Sequence, residues 1–175
     1  MMFRRRREKK TNYRRRLGLV KSGRTRLVIR KSLKNMVIQF IDYNEKGDQT
    51  LLTVNSKLLK KKGWKYSTGN VPSSYLLGLL AGTMAKKKNI TDAILDIGLQ
   101  RSTKGSRIYA ALKGVIDAGV NVPADESIFP SEERIKGKHI SDYTSKASGN
   151  QFSKLKPTDI EANFNETKER ILNEV

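Results

Sequence analysis

The chain has 175 residues, enough for one ordinary domain with extensions and too few for two full-sized domains. It contains no cysteine, so it can form neither a disulfide nor a thiolate metal site, which fits the cytoplasm. The formal net charge is +19 at pH 7. No stretch approaches about eighteen consecutive apolar residues and the basic N-terminus leads into no apolar segment, so we expect no membrane association.

The positive charge is concentrated at the front of the chain. Residues 4–34 hold fifteen basic residues and one acidic residue, whereas residues 122–175 hold eight basic and ten acidic residues. Self-repulsion of this strength destabilises a compact protein unless a polyanion neutralises it. The composition therefore favours a nucleic acid as the partner over an anionic membrane surface.

The first segment, residues 1–24, is predicted to be a basic RNA-binding arm. Nine of the thirteen residues at positions 4–16 are basic, and too few are apolar to bury anything, so we expect the free arm to be disordered. Tyr13 lies between two arginine blocks. Guanidinium groups bind phosphates and an aromatic ring stacks on unpaired bases, so this mixture favours contact with a nucleic acid over a merely solvated tail.

Residues 18–25, GLVKSGRT, come close to the phosphate-binding pattern G-x-x-x-x-G-K-[ST]. Arg24 stands where that loop needs lysine. No strand is predicted before the segment, and a strand rather than a helix follows it, so no helix N-terminus points at a phosphate. We therefore reject a nucleotide-binding loop here.

Three strands are predicted next, at residues 26–32, 36–43 and 50–55. The first alternates basic with apolar residues, the second is β-branched and aromatic, and residues 32–35 join them as a hairpin. A turn at residues 45–48 leads to the third. We expect helices to cover the apolar face of the hairpin and the other edge to be basic and exposed.

Residues 56–64, SKLLKKKGW, indicate a helical turn that Gly63 ends, with Trp64 folded back over the end of the sheet. The three lysines at positions 60–62 are as consistent with a solvated face as with a second RNA contact.

Residues 70–99 are predicted to be the centre of the fold. Apolar residues recur with helical spacing from Leu76 to Met84, Asn70 suits the N-cap, Pro72 suits the first turn, and Lys86, Lys87 and Lys88 suit the C-terminal end. Residues 93–99 then form an almost unbroken apolar run, which predicts a central parallel strand covered on both faces.

A second amphipathic helix is predicted from Ile108 to Ile116, with Gly119 as its stop. Arg101 and Lys104 precede it, at the carboxyl end of a predicted strand, where α/β sheets tend to bind ligands. Residues 120–122 suggest a short last strand. We thus predict the α/β class, with a mixed sheet of three antiparallel strands plus parallel strands covered by two helices, and a core domain at residues 25–122.

Residues 123–175 are predicted to be a near-neutral extension that packs on the core or on a neighbour and ends in a helix capped at Thr158.

Catalytic chemistry finds little support in the sequence. His139 is the single histidine, and Ser141 and Asp142 beside it do not make a triad by spacing alone. A two-metal nuclease of the ribonuclease H architecture could draw on Asp42, Asp96 and Asp117, which would have to converge around ions about 3.5–4 Å apart. The first strand presents Arg30 and Lys31 where such a site needs a carboxylate. We expect no catalytic residue, no metal site and no cofactor.

Several motifs in their order resemble one family. These are TNYRRRLGLVKSGRTRLVIRKS (residues 11–32), GW before TGNVPSSYLLGLLAG (68–82), LDIGL (95–99) and IDAGVNVP (116–123). They resemble the universal 5S-rRNA-binding protein of the large ribosomal subunit, number eighteen in the bacterial series and five in the older eukaryotic naming. RIKGKHISDY (134–143) resembles the extended archaeal and eukaryotic form.

The resemblance implies a cytoplasmic, ribosomal structural protein that binds 5S rRNA and helps attach it to the large-subunit rRNA, beside neighbouring large-subunit ribosomal proteins. A nuclease or a generic polyanion-binding protein is the alternative. Carried over by position, the RNA contacts implied are Arg4, Arg5, Arg6, Arg7, Tyr13, Arg14, Arg15, Arg16, Lys21, Arg24, Arg26, Arg30, Lys31, Ser32 and Lys34. We add Arg101 and Lys104 from their place at the strand end.

Overall fold

The computed structural model describes residues 3–146 and 157–173. The first two residues of the predicted arm, and residues 147–156 and 174–175 of the predicted extension, lie outside the described residues. The protein has the predicted α/β architecture, with one open mixed sheet of four strands in the order β3-β2-β1-β4. In the part of the chain described, no helix is long and apolar enough to cross a membrane.

The sheet confirms the predicted hairpin and third strand. Its strands are β1 (Arg26–Lys31), β2 (Met36–Asp42), β3 (Gln49–Asn55) and β4 (Ile94–Asp96). β2 is antiparallel to both β1 and β3, whereas β4 is parallel to β1. Leu27 and Ile29 of β1 pair with Phe40 and Ile38 of β2, and all four side chains are fully buried. These pairs form the sheet side of the core.

The prediction of a central strand at residues 93–99 is wrong in one respect. β4 is parallel, as predicted, but it has three residues and lies at the edge of the sheet. Ile94 and Leu95 are only half-buried, and the buried residue of the strand is Asp96. An apolar run indicates that a segment is buried, but not which elements bury it. Periodicity therefore cannot distinguish an edge strand from a central strand.

The predicted central helix is α4 (Val71–Lys87). The Asn70 side chain accepts a hydrogen bond of 2.9 Å from the Ser73 amide, and Lys88 follows the last turn, so both predicted ends are confirmed. Nearly every residue from Val71 to Ala85 is buried, not only the apolar stripe. The sheet covers one side of α4 and other helices cover the rest, so α4 is the core helix of the fold.

The second predicted helix, α5 (Arg107–Asp117), packs directly against α4. Ile108, Leu112 and Val115 are buried in the same core, and Gly119 has the left-handed φ of +94° that suits a helix stop. Residues 120–122 do not form a strand of the sheet. Asn121 instead makes an isolated parallel bridge with Asp92.

Between β3 and α4 the chain forms α3 (Leu58–Lys61), the predicted helical turn. Gly63 has φ +96°, and Trp64 is 2% exposed, so the predicted fold-back of this side chain is confirmed. The indole nitrogen of Trp64 donates a hydrogen bond of 3.0 Å to the Ser67 carbonyl.

The C-terminal segment packs on the core. It contains a 3-10 turn (Glu126–Ile128), α6 (Glu132–Lys136), α7 (Lys138–Lys146) and α8 (Ile160–Asn173). Ile160, Phe164 and Ile171 of α8 join the hydrophobic core. Asn163 accepts a hydrogen bond from the Lys65 amide and donates another to the Gly63 carbonyl. The final helix begins at Ile160, two residues after the predicted cap.

The arm is where the structure departs most from expectation. It forms two helices, α1 (Arg4–Arg7) and α2 (Tyr13–Lys21), where we predicted no regular structure. The Asn12 side chain accepts a hydrogen bond of 3.2 Å from the Arg15 amide and so caps α2. Neither helix contains a buried residue, so the arm adds nothing to the core.

Candidate nucleic-acid interface

The first arginine block lies on α1 and is exposed. All four arginines of α1 face solvent, and the adjacent Glu8 offsets part of their charge through ion pairs with Arg4 at 3.6 Å and Lys10 at 3.0 Å. Arg5 is oriented by a hydrogen bond of 2.9 Å from its Nε to the Thr11 hydroxyl. Exposed ion pairs of this kind are weak, so these guanidinium groups can exchange them for phosphates.

The aromatic ring predicted to stack on a base lies at the start of α2. Tyr13 is half-buried because the Phe3 ring lies against it, with 5.0 Å between centroids and 31° between planes. Arg14 and Arg15 follow on α2 and are exposed. Guanidinium groups and one aromatic ring therefore share α2, with Phe3 packed on that ring, which is an arrangement suited to phosphate contact and base stacking.

A chain of alternating charges joins this helix to the sheet. Arg16 of α2 places one Nη at 2.9 Å from both carboxylate oxygens of Asp48, in the turn between β2 and β3. Asp48 also accepts from Arg26 of β1 at 2.5 Å, and Arg26 donates onward to Asp96 of β4 at 3.2 Å. Asp96 accepts in turn from Arg30 at 3.0 Å.

Burial differs along this chain of charges. The Arg26 side chain is only 6% exposed, and its Nε has no hydrogen-bond partner among residues 3–146 and 157–173. The Arg30 side chain is 42% exposed, and it also donates 2.6 Å to the Asp96 backbone carbonyl. Arg26 thus cannot present its guanidinium to RNA in this structure, contrary to the role that the resemblance implied. It is a structural residue that links β1 to β4 and to the turn between β2 and β3.

We predicted that the edge away from the helix-covered face is basic and exposed, and at β1 this prediction is wrong. β4 covers that edge, and Val28 between the two arginines is 5% exposed. Between the arm and this face lies a cleft of about 690 Å³, lined by residues of the arm and by Arg26, Val28 and Arg30. The predicted RNA contacts of the arm and of the hairpin tip, by contrast, are mostly exposed.

The hairpin tip is exposed and closed by hydrogen bonds across its turn. Ser32 closes the turn, since its hydroxyl donates 2.8 Å to the Asn35 carbonyl and accepts 3.0 Å from the Asn35 amide. Lys31 and Lys34 are exposed on either side, and Leu33 at the tip is 95% exposed. The Ser32 hydroxyl is thus occupied by the turn, while the two lysines remain available to a phosphate.

Arg101 and Lys104 lie in an exposed loop attached to the same end of the sheet. Gln100 holds the loop there, donating 2.8 Å to the Ile29 carbonyl and accepting 3.2 Å from the Lys31 amide. The predicted position at a strand end is confirmed. Hydrogen bonds from Ser127, followed by the field of Lys104, lower the pKa of Asp125. That carboxylate lies close enough to offset part of the Lys104 charge.

Lys21 and Arg24 mark the opposite end of β1 and are also exposed. Hydrogen bonds from Asn121 and Thr91, with a smaller contribution from Arg24, lower the pKa of Asp92. Arg24 therefore has an acidic neighbour, whereas Lys21 makes no polar side-chain contact with any residue that the structure describes.

The three aspartates considered for a nuclease do not converge. Asp42 accepts a hydrogen bond of 2.7 Å from Thr25, Asp96 is held by arginines, and Asp117 accepts 2.7 Å from the Tyr75 hydroxyl. Burial, followed by the neighbouring Asp117, raises the pKa of Tyr75. Within residues 3–146 and 157–173, no group of three or more metal-ligating side chains is placed to hold an ion, and His139 is exposed on α7.

Sequence reasoning missed one residue of this region. Asp48 was predicted only as part of a turn, yet it connects the arm to the sheet. An acidic residue in a turn is common, and no spacing in the sequence distinguishes it from one that faces solvent. Its role follows only from the strand register, which brings residues 42–49 beside the start of β1.

Comparison with known proteins shows the family. The sequence matches the family described as "Ribosomal large subunit proteins 60S L5, and 50S L18" over residues 1–92 and 82–125. The large ribosomal subunit protein uL18 of Methanococcus maripaludis is 47% identical over 182 residues, which cover 98% of this chain and 94% of the relative. The match thus includes the C-terminal segment as well as the sheet. The chain therefore belongs to this family of large-subunit ribosomal proteins, and it is a structural component of the cytoplasmic ribosome, not an enzyme.

Proposed function

We propose that the protein binds 5S rRNA and helps attach it to the large-subunit rRNA, beside neighbouring ribosomal proteins. Family membership supports a ribosomal role, and the motifs of residues 11–32 resemble those of 5S-rRNA-binding proteins. The single observation that carries the proposal is the exposure of the cations on the arm and on the hairpin tip, while the opposite face of the sheet is core.

Two kinds of contact are proposed. The arm contacts the RNA backbone through Arg4, Arg5, Arg6, Arg7, Arg14, Arg15, Lys21 and Arg24, with Tyr13 as a stacking surface. The hydrogen-bonded tip and the adjacent loop contact the folded shape of the RNA through Lys31, Lys34, Arg101 and Lys104. Arg30 and Ser32 hold that end of the sheet in place. Backbone contacts position a protein on any RNA, whereas specificity needs groups fixed relative to one another.

Binding measured at several salt concentrations tests this division. Arg6→Gln should weaken binding to 5S rRNA and to an unrelated structured RNA equally, and flatten the slope of log affinity against log salt by about 0.7–0.9. Lys31→Gln combined with Lys34→Gln should reduce the preference for 5S rRNA over the unrelated RNA.

The matched control is Lys136→Gln combined with Lys146→Gln, which removes the same charge from α6 and α7, away from the sheet. This variant should retain the preference of the wild type. A wild type that binds both RNAs equally would identify a generic polyanion-binding protein and contradict the proposal. A tip variant that behaves like Arg6→Gln would remove the tip from specific recognition.

A further inference from the structure

One carboxylate lies inside the most basic region of the protein. Asp48 accepts hydrogen bonds from Arg16 of the arm and from the buried Arg26 of β1, and its own side chain is 23% exposed. An acidic group beside a binding surface for a polyanion repels the ligand. A purely electrostatic interface would therefore be improved by its removal.

The contact between Arg16 and Asp48 attaches α2 to the turn between β2 and β3. α2 has no buried residue, Leu17 is 55% exposed, and Leu19 and Val20 are only half-buried. Among the residues described, the pair of Arg16 and Asp48 is the one hydrogen-bonded link between this helix and the sheet. A helix of nine residues is too short to be stable alone in water, so its position depends on such a link.

Asp48 is itself held in place. It shares Arg26 with Asp96, and Arg26 is fixed on β1 with its side chain 6% exposed. Two ion pairs, from Arg16 to Asp48 and from Asp48 to Arg26, thus fix Arg16 relative to the buried strand β1. Arg16, whose side chain is 34% exposed, already has its guanidinium bound to a carboxylate and is a poorer phosphate ligand than its exposed neighbour Arg15.

We propose that Asp48 is a positioning residue for RNA recognition: through Arg16 it holds α2 on the sheet, so that Tyr13, Arg14 and Arg15 meet the RNA in one fixed arrangement. This inference rests on the proposed function. If α2 is already fixed before binding, no entropy is lost in ordering it when it meets an RNA whose shape matches that arrangement. An unrelated RNA does not match the arrangement and gains no such advantage. Asp48 and Arg16 then determine preference, while the exposed arginines provide general affinity.

The substitution Asp48→Asn distinguishes this inference from simple electrostatics, because the two predict opposite changes in the affinity for 5S rRNA. Electrostatics alone expects tighter binding of every RNA. We expect affinity for 5S rRNA to fall about fivefold, the size of a well-formed exposed ion pair, while affinity for an unrelated structured RNA stays equal or rises. Glu45→Gln is the matched control, since it removes an exposed acidic charge from the same turn, and it should tighten binding to both RNAs slightly.

Asp48→Asn also takes a partner from the buried Arg26, so a second variant guards against a folding defect. Arg16→Gln leaves the contacts of Arg26 with Asp48 and Asp96 intact, and it should lower the preference for 5S rRNA as Asp48→Asn does. Arg6→Gln, on α1 and outside this link, should weaken binding to both RNAs alike and flatten the salt slope by about 0.7–0.9. Asp48→Glu should restore most of the preference, because it restores the ion pair.

Backbone amide relaxation of the free protein provides an independent readout. In Asp48→Asn and Arg16→Gln, amides of residues 13–21 should become more mobile while those of β1 and β2 stay rigid. A wild type with no preference for 5S rRNA overturns the proposed function and this inference with it. If the wild type has that preference, this inference alone is overturned when Asp48→Asn retains the preference, or when Arg16→Gln behaves like Arg6→Gln.

Discussion

Single glycines decide how closely the two main helices approach. A Cβ atom on Gly78 of α4 would lie 2.0 Å from the Ala111 carbonyl oxygen, and one on Gly114 of α5 would lie 2.2 Å from the Tyr75 carbonyl oxygen. Both distances are to backbone atoms, which cannot move aside as a flexible side chain can. These glycines are required by packing between α4 and α5.

We expect Gly114→Ala to lower the free energy of unfolding by about 1–3 kcal/mol or more, because the methyl group forces the two helices apart. Gly18→Ala is the matched control, since a Cβ at this helical position on α2 meets nothing within 4 Å. The control should leave the midpoint of chemical denaturation unchanged or slightly higher, as alanine favours a helix over glycine. Equal midpoints for Gly114→Ala and the wild type would contradict the close helix contact.

At the scale of elements, local signals in the sequence predicted most of the fold. Asn70 and Lys88 define the ends of α4, the alternation in residues 26–32 predicts β1, and Gly119 ends α5, because each signal acts through its own neighbours. The edge position of β4 and the burial of Asp96 depend on long-range pairing with β1, which no local pattern records. The helices of the arm were not predicted, because a segment rich in like charges and poor in apolar residues favours disorder, and the Asn12 cap is known only from the structure.

The candidate site was predictable to a similar degree. The sequence identified the exposed cations of the arm and the hairpin tip by their residue type and order. It could not show that Arg26 is buried between two carboxylates, since Arg26 and Arg30 occupy equivalent positions in the alternation of β1. Asp48 was not predicted because its partners are distant in sequence.

The difference between the central helix and the edge strand can be measured. Leu79 of α4 is 2% exposed, so Leu79→Ala should cost about 2–5 kcal/mol through lost burial and a cavity. Leu95 of β4 is half-buried, so Leu95→Ala should cost only about 1 kcal/mol. Chemical denaturation of both variants measures this difference, and binding of 5S rRNA at low temperature should survive in each. A larger cost for Leu95→Ala than for Leu79→Ala would contradict the edge position of β4.

For the whole molecule, charge and packing are divided between two sides. Residues 4–34, in the arm and the hairpin, carry most of the net positive charge, whereas residues 122–175 carry slightly more acidic than basic residues. The described part of that near-neutral segment packs through α6 and α8 against α4, on the helical side of the core. We infer that the basic side faces RNA and that the helical side is available to neighbouring proteins of the subunit.

The identity of the bound RNA is the most direct test of the proposed function. The purified protein is mixed with an excess of total cellular RNA, washed at moderate salt, and the retained RNA is sequenced. We expect 5S rRNA to be strongly enriched over its share of the input and over transfer RNAs, which are of comparable size and charge density. Retained RNA with the same composition as the input would show binding by charge alone and would contradict recognition of 5S rRNA.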